Sequence, residues 1–215
     1  MIIEDEREPG SNVIPVRCAE WLNDKARDVY SQNGEDGLLE AVFEKIGVTN
    51  EWCFEVGAYD GVTFSNARQF IAKGWEAALI EKDEESFKTL QGNYAANPRV
   101  HCAQGYIEPW NIDGLLEKMG LPWDADLGVL DIDEQEFWVW CGMHYTHPRV
   151  MVVEYGLGRP VDQIPPLRTD KGVPIPGTQA GKNAIHYMGV CKGYHCVAIT
   201  RTNMIFIADG ISALT

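Results

Sequence analysis

The chain has 215 residues, is 45% hydrophobic, and carries 18 Lys and Arg against 32 Asp and Glu, a net charge of −14. That length accommodates one domain with a full core, or a domain with a modest extension, and the apolar content excludes global disorder. The strong negative charge disfavours nucleic acid and anionic membrane as partners, and no apolar run reaches membrane-spanning length.

Residues 1–29 read as an N-terminal extension, polar and broken by Pro9, Gly10 and Pro15, with a short helix near Ala19 to Arg27. The first residues (Met1 to Pro9) are acidic, unlike a signal peptide. The octapeptide Tyr30-Ser31-Gln32-Asn33-Gly34-Glu35-Asp36-Gly37 then opens an amphipathic helix over 36–46. From Trp52 onward, apolar runs alternate with helix-compatible segments. Strands are expected at 52–57, 76–81, 100–104, 127–131, 149–154, 195–201 and 203–208, and helices at 63–73, 84–96, 111–119, 134–144 and 180–192. Such alternation implies a parallel α/β sheet with helices on both faces. Only Thr202 and its neighbours separate the last two strands, too few residues for a crossover, so these strands form an antiparallel hairpin. Residues 156–179, rich in Gly and Pro, follow the fifth strand and read as a lid over the ligand edge of the sheet. The six cysteines (18, 53, 102, 141, 191, 196) form no CxxC pair, which fits free thiols in a reducing cytoplasm better than disulfides or zinc.

Two stretches carry chemistry. Trp52 to Gly61 is a buried strand that breaks into the pattern E-x-G-x-x-x-G: Glu55, Gly57, then Asp60 and Gly61. Glycine permits close backbone approach and positive φ, and the acids argue against a pyrophosphate at this turn. The turn resembles the nucleotide-binding turn of class I S-adenosylmethionine (SAM) methyltransferases, whose cofactor is a cation that tolerates acids nearby. About twenty residues on, the second strand ends in Glu81-Lys82-Asp83. An acid there is placed to accept hydrogen bonds from ribose hydroxyls. Glu81 is the first candidate, with Lys82 and Asp83 beside it, or else the cluster simply opens the next helix, where acids suit the dipole. Tyr106, beyond the third strand, is a candidate for the base, as is Trp110. The octapeptide either caps its helix through Ser31 or Asn33, or folds over the cofactor as a lid through Gln32, Asn33 and Glu35.

Further blocks are Leu130-Asp131-Ile132-Asp133, Phe137-Trp138-Val139-Trp140, and Pro148-Arg149-Val150 through Glu154-Tyr155. With the octapeptide, these resemble the FkbM-like group of SAM-dependent methyltransferases, over roughly residues 30–208. More closely, they resemble a branch opening with Y-S-Q-N-G-E-D-G and carrying I-D-I-D-G-x-D-Y-W-V-W. The resemblance implies a class I SAM-methyltransferase Rossmann-like fold: a seven-stranded, mostly parallel sheet with an antiparallel last strand. It further implies methyl transfer from SAM to a hydroxyl of a sugar or other small hydroxylated molecule. Where the branch has glycine after the second aspartate, this chain has Glu134, and Phe137 replaces its tyrosine. A non-catalytic SAM-binding protein on the same fold is therefore the competing reading.

Methyl transfer to a hydroxyl requires alignment and removal of a proton by a base or a metal. Asp131 and Asp133 end the fourth strand and Glu154 ends the fifth, and ligands of parallel sheets bind outside those carboxyl ends. The three carboxylates suit Mg²⁺, much as acids at these strand ends do in metal-dependent O-methyltransferases of the catechol and macrolide-sugar types. Alternatively, one contacts the cofactor and another pairs with Arg149 or a helix N-terminus.

Overall fold

The computed structural model describes residues 19–167 and 179–211. Much of the expected N-terminal extension and the middle of the expected lid fall outside these residues. Within them, the chain alternates as expected: α1 (Glu35–Ile46), β1 (Trp52–Val56), α2 (Arg68–Ala72), β2 (Glu76–Glu81), α3 (Glu84–Tyr94), β3 (Val100–Gln104), α4 (Ile112–Lys118), β4 (Leu127–Leu130), α5 (Glu136–Gly142), β5 (Val150–Glu154), α6 (Lys182–Cys191), β6 (Tyr194–Ile199) and β7 (Asn203–Ala208). The helix expected near Ala19 to Arg27 is only a 3-10 turn, Glu20–Leu22.

All seven strands join one sheet in the order β3-β2-β1-β4-β5-β7-β6. The pairs among β1 to β5 are parallel, and β7 lies antiparallel between β5 and β6. This is the class I SAM-methyltransferase arrangement. Strand side chains alternate between two cores. Cys53, Leu79, Val129 and Val152 pack with Leu39 and Phe43 of α1, Phe70 of α2 and Leu90 of α3. Phe54, Ile80, Met151 and Phe206 pack with Leu116 of α4, Trp140 of α5 and Ile185 of α6. Covering both faces explains why the central strands are apolar throughout instead of alternating with polar residues.

Successive strands run outward from β1 through β2 to β3, and the chain then returns to β4 on the other side of β1. That reversal opens a crevice at the carboxyl ends of β1 and β4. Gly57 and Asp131, the residues just past those strands, face each other across it. A Cβ on Gly57 would lie 1.6 Å from the Asp131 carbonyl oxygen, so only glycine allows the two strand ends to come this close.

The helix expected over 63–73 begins only at Arg68. Glu55 is the cause: its buried carboxylate accepts the Ser65 hydroxyl and the Asn66 N–H, which holds that segment as a loop. Phe64, at φ +58°, completes the departure from helical geometry.

Candidate active site

A cavity of about 400 Å³ lies at the crevice, within the size range of small-molecule sites. Its walls include Gln32, Glu55, Gly57, Glu81, Lys82, Asp83, Tyr106, Asp131, Asp133 and Glu154. The glycine turn, the end of β2 and the ends of β4 and β5 thus meet in one place. Glu81 is buried, and its carboxylate accepts N–H groups from Tyr59 (2.8 Å) and Asp83 (2.7 Å), which fixes its direction. Asp83 caps α3 by accepting the Ser86 N–H.

The carboxylates of Asp131, Asp133 and Glu154 each offer an oxygen within 4.8 Å of the other two. Asp131 and Glu154, both half-buried, lie close enough to share a hydrogen bond when one of them is protonated. Burial and mutual repulsion raise both pKa values, that of Glu154 furthest. Oxygen donors of this number and charge suit a hard divalent ion, which would displace any proton held there. A Glu154 oxygen also accepts the Gln179 side-chain amide at 2.6 Å. Arg149 takes no part: it pairs with buried Asp126 at 2.6 Å, at the amino ends of β4 and β5.

Four expected cofactor residues do not line the cavity. Glu35 is fully buried, and its carboxylate accepts the Asn33 N–H, the Thr200 hydroxyl and the Asn203 amide. Asn33 donates its side-chain amide to Thr202. The octapeptide therefore ties α1 to the β6–β7 hairpin, leaving exposed Gln32 at the cavity rim. Its glycines admit their own chain: a Cβ on Gly37 would lie 2.1 Å from the Lys25 carbonyl oxygen. Asp60 closes its own turn, accepting the Val62 and Thr63 N–H groups and the Thr63 hydroxyl. Gly61, at φ +72°, packs against Leu90 and Tyr94 of α3. The Asp60–Thr63 spacing is a local turn signature readable from sequence, whereas the partners of Asn33 and Glu35 lie over 160 residues away.

Trp110, the other candidate for the base, lies in a separate groove with Trp123 and Tyr145. Sequence reasoning missed Tyr59, Phe64, Gln179 and Glu136. Tyr59 (φ +49°) and Phe64 (φ +58°) are exposed aromatics in left-handed conformation that line the cavity, as Asp133 (φ +66°) does. Strained backbone of this kind gathers at functional sites. Glu136 lies fully buried beneath the cavity floor and accepts the Ile132 and Glu134 N–H groups.

Burial pushes Glu55 up to about 7 and Glu136 up to about 8. Each binds its proton more tightly when folded than when unfolded, so stability is lost as pH rises from the unfolded carboxyl range, near 4.5, through these folded values. The melting temperature should therefore fall between pH 5 and 8, and Glu136→Gln should flatten that fall. A profile equally steep in the variant would count against this origin.

No protein-family model matches the sequence, and no curated protein sequence matches it. Solved structures do. A provisionally assigned O-methyltransferase from Klebsiella pneumoniae superposes with TM-score 0.54 at 16% identity, over 86% of this chain and 83% of that one. A provisionally assigned caffeoyl-CoA O-methyltransferase from Staphylococcus aureus gives 0.54 at 15% identity, over 85% and 86%. A SAM-dependent methyltransferase from Clostridium acetobutylicum gives 0.51 at 8% identity, over 80% and 89%. At these identities the likeness is one of fold: the chain has the class I SAM-methyltransferase architecture.

Proposed function

We propose that this protein is a SAM-dependent O-methyltransferase of the FkbM-like group, acting on a hydroxyl of a sugar or similar small hydroxylated molecule. The observation that carries the reading is that one cavity is walled by the glycine turn and Glu81 on one side and by Asp131, Asp133 and Glu154 on the other. The acids complement the sulfonium and ammonium of SAM, and the volume suits a nucleoside-sized ligand. The acceptor assignment rests on the octapeptide and the D-I-D and W-V-W blocks.

Bound SAM supplies a methyl group already activated on a cationic sulfur. The chain's own residues then have two tasks. Glu81 accepts the ribose hydroxyls, with Gly57, Lys82 and Tyr106 around the nucleoside. Asp131 and Asp133 take the acceptor proton, or with Glu154 hold Mg²⁺, which would lower the pKa of the acceptor hydroxyl. The described ends of the segment 156–179, residues 156–167 and 179, border the acceptor side. Its described part is already fastened there, since Trp138 and Gln135 donate to the carbonyls of Pro165 and Pro166 and Gln179 donates to Glu154. The expected setting is the cytoplasm, with small molecules and neither nucleic acid nor membrane as partners.

Calorimetry with S-adenosylhomocysteine tests the cofactor half. Glu81→Ala should weaken binding about tenfold to hundredfold, the worth of charge-assisted hydrogen bonds to a buried ribose. Unchanged affinity in a folded variant would remove Glu81 from the site. Glu134 lines the cavity where the branch has glycine. If the cofactor binds but no hydroxylated acceptor is ever methylated, a non-catalytic SAM-binding role is the better reading.

A further inference from the structure

The loop between β4 and α5 brings the acceptor-side carboxylates together, yet its backbone is unfavourable. Asp133 sits at φ +66°, in the left-handed region. Aspartate tolerates that region better than most residues, but its neighbours Ile132 and Glu134 are not turn-formers. Two contacts confine it. On the upper side, the Asp131 carbonyl abuts Gly57 so closely that no side chain fits between them. On the lower side, a single Glu136 oxygen accepts the N–H groups on both flanks of Asp133, from Ile132 and Glu134, each at 3.1 Å.

Glu136 is an odd choice for a purely structural brace. It is fully buried, and its second oxygen has no hydrogen-bond partner among the described residues. Each of these features costs stability, and local rules broken at such a cost are characteristic of functional sites.

We infer that Glu136 is a positioning residue: by gripping the amides on either side of Asp133 it sets the angle at which the Asp133 carboxylate meets those of Asp131 and Glu154. The inference rests on the reading above, in which these three carboxylates serve the acceptor. Glu136 touches neither cofactor nor acceptor and acts only through the loop.

Mn²⁺ is a suitable probe, followed by electron paramagnetic resonance, with S-adenosylhomocysteine affinity measured in parallel on the full chain. Glu136→Met fills the same space without an acceptor, whereas Glu136→Gln keeps one acceptor oxygen. Glu136→Met should weaken Mn²⁺ binding by about tenfold or more, the usual effect of losing a group that orients metal ligands. Glu136→Gln should stay within about threefold of wild type. In both variants the affinity for S-adenosylhomocysteine should hold. Glu136→Asp, whose shorter arm cannot reach both amides, should behave as Glu136→Met does, and it decides the matter should Glu136→Met not fold.

Mn²⁺ affinity unchanged in Glu136→Met, or lost together with cofactor affinity, would overturn the inference while leaving the proposed function standing. A wild type that takes S-adenosylhomocysteine but no Mn²⁺ ends the cation reading instead. Glu136 is then judged by amide hydrogen exchange at Ile132 and Glu134. Faster exchange in Glu136→Met but not in Glu136→Gln sustains its grip on the loop, and equal exchange overturns it.

Discussion

Asp131→Asn is expected to abolish methyl transfer, by about a hundredfold or more, while leaving S-adenosylhomocysteine binding nearly intact. Asp131 stands at the switch point of the sheet, one residue past β4, and bonds through its side chain to Glu154. Asparagine keeps its size and one acceptor oxygen but removes the charge that a divalent ion or a departing proton requires. Ion binding separates two versions of the chemistry. If Mg²⁺ is held here, EDTA stops turnover, Mg²⁺ restores it, and Asp131→Asn loses ion binding. If no metal is used, EDTA has no effect and Asp133→Asn alone removes activity. Wild-type turnover in Asp131→Asn would end the metal version, and wild-type turnover in Asp133→Asn would end the metal-free one.

Gly57→Ala is expected to destabilise the fold by more than about 3 kcal/mol, seen as a large drop in the urea midpoint. Gly57 lies at φ +84°, and the new Cβ would sit 1.6 Å from the backbone oxygen of Asp131. Neither neighbour can yield, since both end buried central strands. Gly47 supplies the control: its φ is +71°, but nothing lies within 4 Å of an added Cβ. Gly47→Ala should therefore carry the backbone cost alone, about 1–3 kcal/mol, with no clash added. Similar losses at the two positions would mean that the closeness of β1 and β4 is not what demands glycine at Gly57. If the loss at Gly57 is the larger, reduced cofactor binding in its variants follows from a spread crevice as much as from a lost contact.

That glycine shows both how far a sequence can be read and where the reading stops. The strand–glycine–helix pattern placed the turn correctly, and the apolar runs placed all seven strands within a residue or two. Strand-end acids were equally readable, because in a parallel sheet the carboxyl ends share one edge whatever the details of packing. What escaped was set by contacts between distant segments. Gly57 faces Asp131, Glu35 answers Thr200 and Asn203, and Gln179 reaches Glu154. None of these pairings leaves a local trace. Glu55 escaped for a different reason: a buried acid bonding Ser65 and Asn66 overrode the helical preference of residues 63–67.

The place of β7 has a consequence for the chain's birth on the ribosome. The strand lies between β5 and β6, yet it is translated after both. Until residues 203–208 emerge, the edge of β5 presents unpaired backbone N–H and C=O groups, and β6 has no neighbour to join. Glu35 waits as well, its carboxylate lacking Thr200 and Asn203 until those residues have been made. Closure is thus deferred until β7 emerges, and until then an unpaired sheet edge invites aggregation. A nascent chain stalled before Asn203 should be a client of holding chaperones, and one released after Ala208 should not.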